Sequence, residues 1–367
     1  MAWRLSVSLL VACALFGACT PAASEELCAS PQSAASPPGD AGPFQVGYRT
    51  FQTSYTPPGQ AARTLTINVW YPTSDPGGQS ARYLGIYNDD AAFVEASLAP
   101  PLSGCRYPVL VYSHGFAAFG GSAAYQARHF ASHGWVVLAP DHTLNTFLDK
   151  VRPPDWIHYA RGLDIAATLD AADALEASDP LAGKLDLSRV VMSGHSFGAF
   201  TTWSVAGAAF DVAALRSRCE RGDSDEASCS EAAFAAYARG VRDPRVVAAI
   251  PLAGAPDDDW FGLTGPDAIR IPMMELTGSN DQRGVDAVFA RSEGFPFTWI
   301  EFAGGCHETF AMGINCDTFD VPEGYRLART YAMAFARKHL LGDATTEVTS
   351  IVDGTQSLSP LVTFRSK

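Results

Sequence analysis

The stretch Arg189-Val190-Val191-Met192-Ser193-Gly194-His195-Ser196-Phe197-Gly198 combines three local signals. Its first half is apolar and β-branched, which is typical of a short buried strand, and an Ala-rich helical sequence follows it. Between them, Gly194, Ser196 and Gly198 fit the pattern G-x-S-x-G, in which a serine stands on a tight turn from strand to helix. The alternative is a glycine-rich turn with an exposed serine, which needs no strand before it and no helix after it. We therefore interpret Ser196 as a candidate nucleophile.

Short apolar strands alternate with helical segments on both sides of this turn. The predicted strands are 108–113, 135–139, 189–193, 246–252, 272–277 and 297–302. The predicted helices are 122–133, 159–177, 197–209 and 322–341. Such alternation predicts a mostly parallel central sheet with helices on both faces. Residues 46–55 and 64–71 alternate in polarity around Pro57-Pro58-Gly59, which predicts an N-terminal antiparallel hairpin. The chain is thus predicted to be of the α/β class, with the α/β-hydrolase fold.

Two loops after predicted strands complete a candidate catalytic triad. Asp281 follows strand 272–277, and His307 follows strand 297–302. Parallel sheets bind ligands beyond the carboxyl ends of their strands, so these loops are expected to converge on Ser196. The chain order Ser, Asp, His is the order that this fold uses. We assign His307 as the general base and Asp281 as the acid that orients it.

A run of carboxylates offers an alternative acid. Asp257, Asp258 and Asp259 follow strand 246–252, a position that some members of the fold use for the triad acid. The same run also fits a helix N-terminus or a solvated loop. Both assignments therefore stay open, with Asp281 preferred.

Two backbone amides are candidates for an oxyanion hole, the pair of donors that binds the negative oxygen of an acyl-transfer intermediate. One amide is that of Phe197, directly after the serine, and the other belongs to the loop after strand 108–113. That loop reads Ser113-His114-Gly115-Phe116, so Phe116 is the second candidate. His114 is expected to brace the loop.

Four aromatic side chains in or near these loops are candidate substrate contacts. They are Phe116, Phe119, Trp156 and Trp260. The alternative for each is ordinary core packing, which aromatic residues favour because of their large apolar area. Only for Phe116 does its place beside the candidate oxyanion hole favour substrate contact.

Composition limits the classes of partner. The chain has 367 residues, 47% of them hydrophobic, and a formal net charge of −13. An acidic chain without basic patches is not suited to nucleic acid, which requires neutralisation of phosphates. No CxxC pair occurs and histidines are scarce near the cysteines, so a zinc site is not indicated. Acyl transfer by the candidate triad implies no metal and no cofactor. We expect a monomer. The candidate triad, not the composition, favours an ester substrate, either a small molecule, a lipid or a polymer.

The ends of the chain lie outside the predicted domain. Residues 1–19 combine one positive charge with an almost continuous apolar run over 5–18, which predicts an export signal. Phe16-Gly17-Ala18-Cys19 resembles a lipobox, so Cys19 is a candidate lipid anchor, and cleavage near Ala23 is the alternative. We interpret 20–43 as a flexible tether, 44–342 as the catalytic domain with a helical insertion at 210–243, and 343–367 as a C-terminal tail. A secreted, periplasmic or cell-surface location follows.

The cysteines support export independently. Without Cys13 and Cys19, the number that remains is even. Sequence proximity favours the pairs Cys219–Cys229 and Cys306–Cys316, which leaves Cys28–Cys105. Disulfides form in oxidising compartments, in agreement with an export signal. Buried free thiols are the alternative.

Several motifs together resemble a known group of enzymes. They are Ser113-His114-Gly115-Phe116, Ala139-Pro140-Asp141-His142, Arg161 with Asp164, the Gly194–Gly198 turn, Asp281 and His307. The chain resembles the bacterial group related to dienelactone hydrolases that includes the platelet-activating-factor acetylhydrolases, and more distantly the cutinase-like polyester hydrolases. It differs from the latter in its longer insertion and in Phe197, where they commonly carry Met. Dienelactone hydrolases use a Cys nucleophile, unlike Ser196.

The resemblance implies a serine carboxylic ester hydrolase that acts on short- to medium-acyl esters through an acyl-enzyme. Phospholipid acetyl esters and polyesters are among the substrates it suggests. Asp141, His142, Arg161 and Asp164 are implied to be structural partners. A thioesterase, lactonase or peptidase with the same triad is one alternative. A catalytically silent binding or surface protein of the same fold is another.

Overall fold

The computed structural model describes residues 31–102, 104, 106–149, 152–281, 283–312 and 315–367. The predicted export signal, Cys19 and the predicted Cys28–Cys105 bond lie outside the described residues.

Eleven strands within the described part of the chain form one sheet. They are β1 (Gln45–Tyr55), β2 (Arg63–Thr73), β3 (Ser80–Tyr83), β4 (Tyr87–Val94), β5 (Tyr107–Ser113), β6 (Val136–Asp141), β7 (Leu185–His195), β8 (Val246–Leu252), β9 (Met273–Gly278), β10 (Phe297–Phe302) and β11 (Val362–Ser366). Their spatial order is β11-β10-β9-β8-β7-β5-β6-β2-β1-β4-β3.

The six strands from β10 to β6 in this order are mutually parallel, as predicted from the alternation of strands and helices. β1 and β2 form the antiparallel hairpin that precedes them, with Gln45 opposite Thr73 and Tyr55 opposite Arg63. The prediction of an α/β fold with an N-terminal hairpin is therefore confirmed.

Nine α-helices are described. They are α1 (Ala124–Ser132), α2 (Ile157–Asp173), α3 (Phe197–Ala206), α4 (Val212–Glu220), α5 (Glu231–Arg239), α6 (Asp258–Phe261), α7 (Val285–Arg291), α8 (Val321–Leu341) and α9 (Thr346–Val352). None of the helices in these ranges has the length and apolar character needed to cross a membrane.

The sheet separates two hydrophobic cores because successive side chains of a strand point to opposite faces. On β5, Val109 and Val111 pack into the core that α2 and α3 cover. Leu110 and Tyr112 of the same strand pack into the core that α1, α8 and α9 cover. Helices thus cover both faces, and the loops at the carboxyl ends of the central strands remain available for a site.

Three regions of the structure add to what the sequence predicts. The strands β3 and β4 form a second hairpin beside β1, and β4 runs parallel to β1. Residues 343–367, treated above as a tail, contain α9 and β11, and β11 pairs antiparallel with β10. Residues 34–43 belong to the predicted tether and contact α1 and α8: Arg337 donates to the Ser36 carbonyl and His129 to the Pro38 carbonyl, each at 2.7 Å.

Candidate active site

Ser196 stands between β7 and α3 in a strained backbone conformation. Its φ is 57° and its ψ is −115°, a region that residues with a Cβ seldom adopt. The flanking glycines make this turn possible. A Cβ on Gly198 would lie 1.9 Å from the Ser113 carbonyl oxygen, and one on Gly194 would lie 2.3 Å from the Gly198 carbonyl oxygen. The sequence G-x-S-x-G is therefore required here by close packing of the backbone.

The structure brings Ser196, His307 and Asp281 together. The Ser196 Oγ lies 2.8 Å from His307 Nε2, and His307 Nδ1 lies 2.7 Å from Asp281 Oδ2. Asp281 follows β9 and His307 follows β10, so neighbouring parallel strands deliver both side chains to one edge of the sheet.

The hydrogen bonds determine which imidazole nitrogen of His307 carries a proton. A carboxylate only accepts hydrogen bonds, so Nδ1–H donates to Asp281 and Nε2 accepts from the Ser196 hydroxyl. Burial alone would raise the pKa of the Asp281 carboxyl, but hydrogen bonds from His307 and Arg283 outweigh burial and lower that pKa. Asp281 is therefore ionised at neutral pH, and His307 is oriented to remove a proton from Ser196.

The alternative acids lie elsewhere. The Asp257 carboxylate accepts a hydrogen bond from the Asp259 backbone at 2.9 Å, as a cap of α6, and Asp258 pairs with Arg291. None of the hydrogen bonds described for these three carboxylates involves His307. The structure thus pairs His307 with Asp281, and the run 257–259 forms a helix start.

The two predicted oxyanion donors flank Ser196. Phe197 is the first residue of α3, where backbone N–H groups have no partner within the helix. Phe116 lies in the loop after β5, and the residue is 56% exposed. No described residue accepts a hydrogen bond from either backbone N–H. Both amides are therefore available to a ligand.

A buried polar network holds the loop that carries Phe116. Arg161 of α2, fully buried, donates to the His114 carbonyl, to Ser113 Oγ at 3.0 Å and to Thr201 Oγ1 at 3.2 Å. Its guanidinium also lies 4.5 Å from the centre of the Phe197 ring. Arg161 therefore contacts both segments that supply the candidate oxyanion donors.

Histidines extend this network away from the site. His114 Nδ1 donates to the Gly115 carbonyl at 2.7 Å, and its Nε2 accepts from the His142 amide at 3.0 Å. His142 in turn donates through Nδ1 to Asp164 at 2.8 Å, and Asp164 also pairs with Arg63 at 2.8 Å. Burial lowers the pKa of His142 to about 3, so it stays neutral.

We expect Arg161→Gln to lower kcat for ester hydrolysis by roughly 10- to 100-fold, with a smaller change in KM, because loss of one well-placed oxyanion donor has an effect of that order or larger. The variant is also expected to be less stable, since buried acceptors lose their donor. Arg337→Gln is a matched control, because Arg337 is buried but lies on α8. Thermal unfolding and steady-state kinetics of both variants separate the two effects. An equal loss of kcat in both would contradict a positioning role for Arg161.

Two clefts meet at Ser196. We call the first the aromatic cleft; it has a volume of about 580 Å³ and is lined by Tyr87, Phe116, Phe119, Phe147, His307 and Met312, among others. We call the second the polar cleft; it has a volume of about 510 Å³ and is lined by His158, Phe197, Phe200, Asp257, Arg283 and Arg291, among others. Ser196 lines both.

The four candidate substrate contacts divide into two groups. Phe116 and Phe119 line the aromatic cleft. Trp156 and Trp260 line neither cleft within the described residues and instead pack in the hydrophobic core. Trp156 lies under the Arg63 guanidinium, 5.4 Å from its ring centre, and Trp260 stacks on His158 at 3.5 Å. The two tryptophans therefore correct the sequence-based expectation, because neighbouring side chains cover their rings.

Sequence reasoning missed two histidines beside the site. His195 Nε2 donates to the His307 carbonyl at 2.9 Å and so ties the serine turn to the histidine loop. Its pKa is lowered to about 3 by burial and by the nearby His307. His158 lines the polar cleft. The G-x-S-x-G pattern leaves the residue before the serine free, and His158 belongs to no motif, so neither position carried a signal.

Two disulfides, Cys219–Cys229 and Cys306–Cys316, are present as predicted. The second bond closes the loop that begins directly before His307. The first lies in the insertion that contains α4 and α5. Among the described residues, no group of three or more His, Cys, Asp or Glu side chains is arranged to hold a metal ion.

We expect the double variant Cys306→Ala/Cys316→Ala to lower kcat/KM for esters by roughly tenfold, because a looser His307 loop reduces the time spent in reactive geometry. The double variant Cys219→Ala/Cys229→Ala is the matched control, since it opens a loop of the same sequence separation, 10 residues. It is expected to change kcat/KM by less than about threefold. The measurement is kcat/KM of both double variants, with circular dichroism to check that each keeps the wild-type fold. Equal kcat/KM in the two variants would count against the prediction.

Comparison with known proteins is consistent with this geometry. A chlorophyllase family model matches residues 95–216, which include Ser196 and the Phe116 loop but end before Asp281 and His307. A solved structure of a ferulic acid esterase from Streptomyces cinnamoneus superposes with a TM-score of 0.61 and 20% identity, over 91% of this chain and 99% of that chain. The protein has the α/β-hydrolase fold.

Curated relatives of this chain include the groups that its motifs resemble. It is 25% identical over 223 residues to the platelet-activating factor acetylhydrolase of Cavia porcellus, covering 44% of this chain and 50% of that protein. It is 33% identical over 106 residues to cutinase est1 of Thermobifida alba, covering 29% of this chain and 32% of that protein. The chain thus spans half or less of the length of these relatives. The predicted resemblance to both groups is confirmed.

Proposed function

We propose that this protein hydrolyses carboxylic esters through an acyl-enzyme intermediate on Ser196. The observation that carries the proposal is the chain of hydrogen bonds from Ser196 through His307 to Asp281, at 2.8 Å and 2.7 Å, at the junction of two clefts. The similarity to an acetylhydrolase and to cutinases supports an ester as the substrate class.

In the first stage, the Ser196 Oγ attacks the ester carbonyl carbon while His307 Nε2 takes the hydroxyl proton. The carbonyl oxygen becomes an oxyanion, which the backbone N–H groups of Phe116 and Phe197 bind. The ionised Asp281 stabilises the imidazolium that forms. Collapse of the tetrahedral intermediate breaks the bond to the alcohol oxygen, which receives the proton from His307 Nε2.

In the second stage, water replaces the alcohol. His307 Nε2 removes a proton from the water as it attacks the acyl carbon, and the same two amides bind the new oxyanion. The proton then returns to the Ser196 Oγ as the acid leaves. The balance is one ester and one water consumed, and one acid and one alcohol formed.

Short- to medium-acyl esters are part of the proposal, and two clefts of about 510 and 580 Å³ open from Ser196 to receive the two halves of such an ester. Phospholipid acetyl esters and polyesters belong to this proposal as substrate candidates, because one curated relative is an acetylhydrolase and the others are cutinases. Thioesters and lactones present the same carbonyl chemistry and are the alternative substrates. A catalytically inactive binding protein of the same fold is disfavoured, because binding alone does not require Ser196 and His307 within hydrogen-bond distance.

Location and organisation are part of the same proposal. We propose that residues 44–342, extended by α9 and β11 of 343–367, which pack on and pair with the sheet, form the catalytic domain. In this proposal the protein is a monomer exported to the periplasm, cell surface or medium, with Cys19 as a candidate lipid anchor. The disulfides Cys219–Cys229 and Cys306–Cys316 support an oxidising compartment.

The test is an assay of the chain, produced in an oxidising compartment, on p-nitrophenyl esters from acetyl to decanoyl, with a thioester and a lactone in parallel. We expect hydrolysis of the esters with a maximum at short or medium acyl length. A folded protein that is inert toward every ester would overturn the proposal, and activity confined to the thioester or lactone would favour the alternative.

A further inference from the structure

His158 lies in the polar cleft and takes no part in the steps above. It is the second residue of α2, and it lines the cleft together with Ser196. Its ring lies 4.8 Å from that of Phe197 and 5.1 Å from that of Phe200, while Trp260 stacks on it at 3.5 Å. The imidazole is therefore held in one orientation beside the nucleophile.

The protonation of His158 follows from its hydrogen bond. Nδ1 lies 2.8 Å from the Asp155 carbonyl oxygen, which only accepts hydrogen bonds, so Nδ1 carries the proton. Burial lowers the pKa of His158 to about 3, so the ring is neutral and Nε2 keeps a lone pair. No described residue donates a hydrogen bond to Nε2. The cleft is thus lined by a hydrogen-bond acceptor that has no donor among the described residues.

The two arginines that line the polar cleft already have carboxylate partners. Arg291 pairs with Asp258, and Arg283 pairs with Asp281 at 2.7 Å. Asp257 adds a further carboxylate to the lining. A carboxylate on the ligand would find both arginines already paired and would meet the Nε2 lone pair. A hydroxyl group, in contrast, donates to Nε2 without any change in charge.

The position of His307 determines which half of an ester enters which cleft. The leaving alcohol oxygen must approach His307 Nε2 to receive a proton, and His307 lines the aromatic cleft. The alcohol half therefore occupies the aromatic cleft. The acyl half then extends from Ser196 into the polar cleft, toward His158.

We propose that His158 is a specificity-determining residue, whose Nε2 accepts a hydrogen bond from a hydroxyl on the acyl half of the substrate. The preferred substrates are then esters of hydroxy acids. This inference rests on the proposed function and adds the substrate class. One neutral hydrogen bond gives a preference of roughly three- to tenfold in kcat/KM over an ester without the hydroxyl.

The test uses sets of ethyl esters that share one leaving group. Each set compares a hydroxylated acyl group with its methoxy and unsubstituted counterparts: β-substituted butanoate, ω-substituted hexanoate and para-substituted phenylpropanoate. The methoxy group has similar polarity but no donor, so it separates hydrogen bonding from electronic activation. We expect the hydroxy ester of at least one set to exceed both counterparts by roughly three- to tenfold in kcat/KM.

The variant His158→Phe keeps an aromatic ring against Trp260 but has no acceptor, and its hydroxy-to-methoxy ratio is expected to fall to about one. His339→Phe, on α8, is the matched control and is expected to keep the wild-type ratio. If His158→Phe fails to fold, the hydroxy-to-methoxy ratios of the wild type test the proposal, since ratios near one in every set would overturn it.

The outcomes separate this inference from the proposed function. Ratios near one in every set, with unsubstituted esters hydrolysed, overturn the role of His158 alone. A preference that survives in His158→Phe, or that His339→Phe also loses, overturns it as well. If folded protein hydrolyses none of the esters, the proposed function fails and the inference fails with it.

Discussion

Replacing Ser196 by alanine is expected to lower kcat for hydrolysis of p-nitrophenyl butyrate by on the order of 10⁴- to 10⁶-fold. The variant loses the only oxygen that lies within hydrogen-bond distance of His307 Nε2 among the described residues, at 2.8 Å. Residual hydrolysis comes from water bound near the oxyanion donors. The measurement is steady-state turnover at matched protein concentration, with circular dichroism to check the fold.

The effects of replacing Ser196 and His307 are expected not to add, which gives a second test of the same assignment. Because Ser196 and His307 act as one unit, the double variant Ser196→Ala/His307→Ala is expected to be no slower than Ser196→Ala by more than a few-fold. Ser188→Ala, an exposed serine on the same strand β7, is the control and is expected to match the wild type. A Ser196→Ala variant that keeps more than about a tenth of the wild-type kcat would refute the nucleophile assignment.

The second large effect is expected for Asp281→Asn, with a loss in kcat of roughly 10³- to 10⁴-fold at neutral pH. An asparagine amide in place of the carboxylate no longer fixes the proton on His307 Nδ1, so the imidazole adopts the wrong tautomer for accepting from Ser196. The loss of the negative charge also leaves the imidazolium without its stabilising partner. Turnover of a p-nitrophenyl ester across the pH range measures the effect.

Asp257→Asn tests the alternative acid in the same assay. Asp257 caps α6, so its replacement is expected to weaken that helix start and to change kcat by less than about tenfold. If instead Asp257→Asn is the more damaging change, the acid has been assigned to the wrong loop.

The fold could be predicted from the sequence because its patterns, short apolar strands that alternate with helices, are local and repeat along the chain. Short strands that are apolar along their whole length, such as β5 and β8, must be buried on both faces of the sheet. The helices that alternate with them along the chain cover those faces. The strand β11 gave no such signal, because it is an edge strand whose residues are largely exposed or half-buried. Its place beside β10 depends on long-range pairing.

The catalytic candidates were accessible for a related reason. Ser196, Asp281 and His307 each follow a predictable strand, and parallel topology brings the ends of such strands together. The sequence favoured Asp281 over Asp257 but left both open, because both follow a strand. It depends on loop geometry, which places Asp281 2.7 Å from His307.

The clefts were the least predictable part. Trp156 and Trp260 are close in sequence to site loops, but three-dimensional packing turns them into the core. His158 is the opposite case. It belongs to no motif, but as the second residue of α2 it lines the polar cleft. Orientation of a side chain at a helix start depends on contacts from distant segments, and single-sequence patterns do not contain them.

The most direct test of the central claim is covalent labelling of the protein with a fluorophosphonate, followed by peptide mass spectrometry. We predict one phosphonyl group per chain, attached to the Ser196 Oγ, absent from Ser196→Ala and formed much more slowly in His307→Ala. A label on any other residue, or no label on folded protein, would contradict the account of Ser196 as a nucleophile activated by His307.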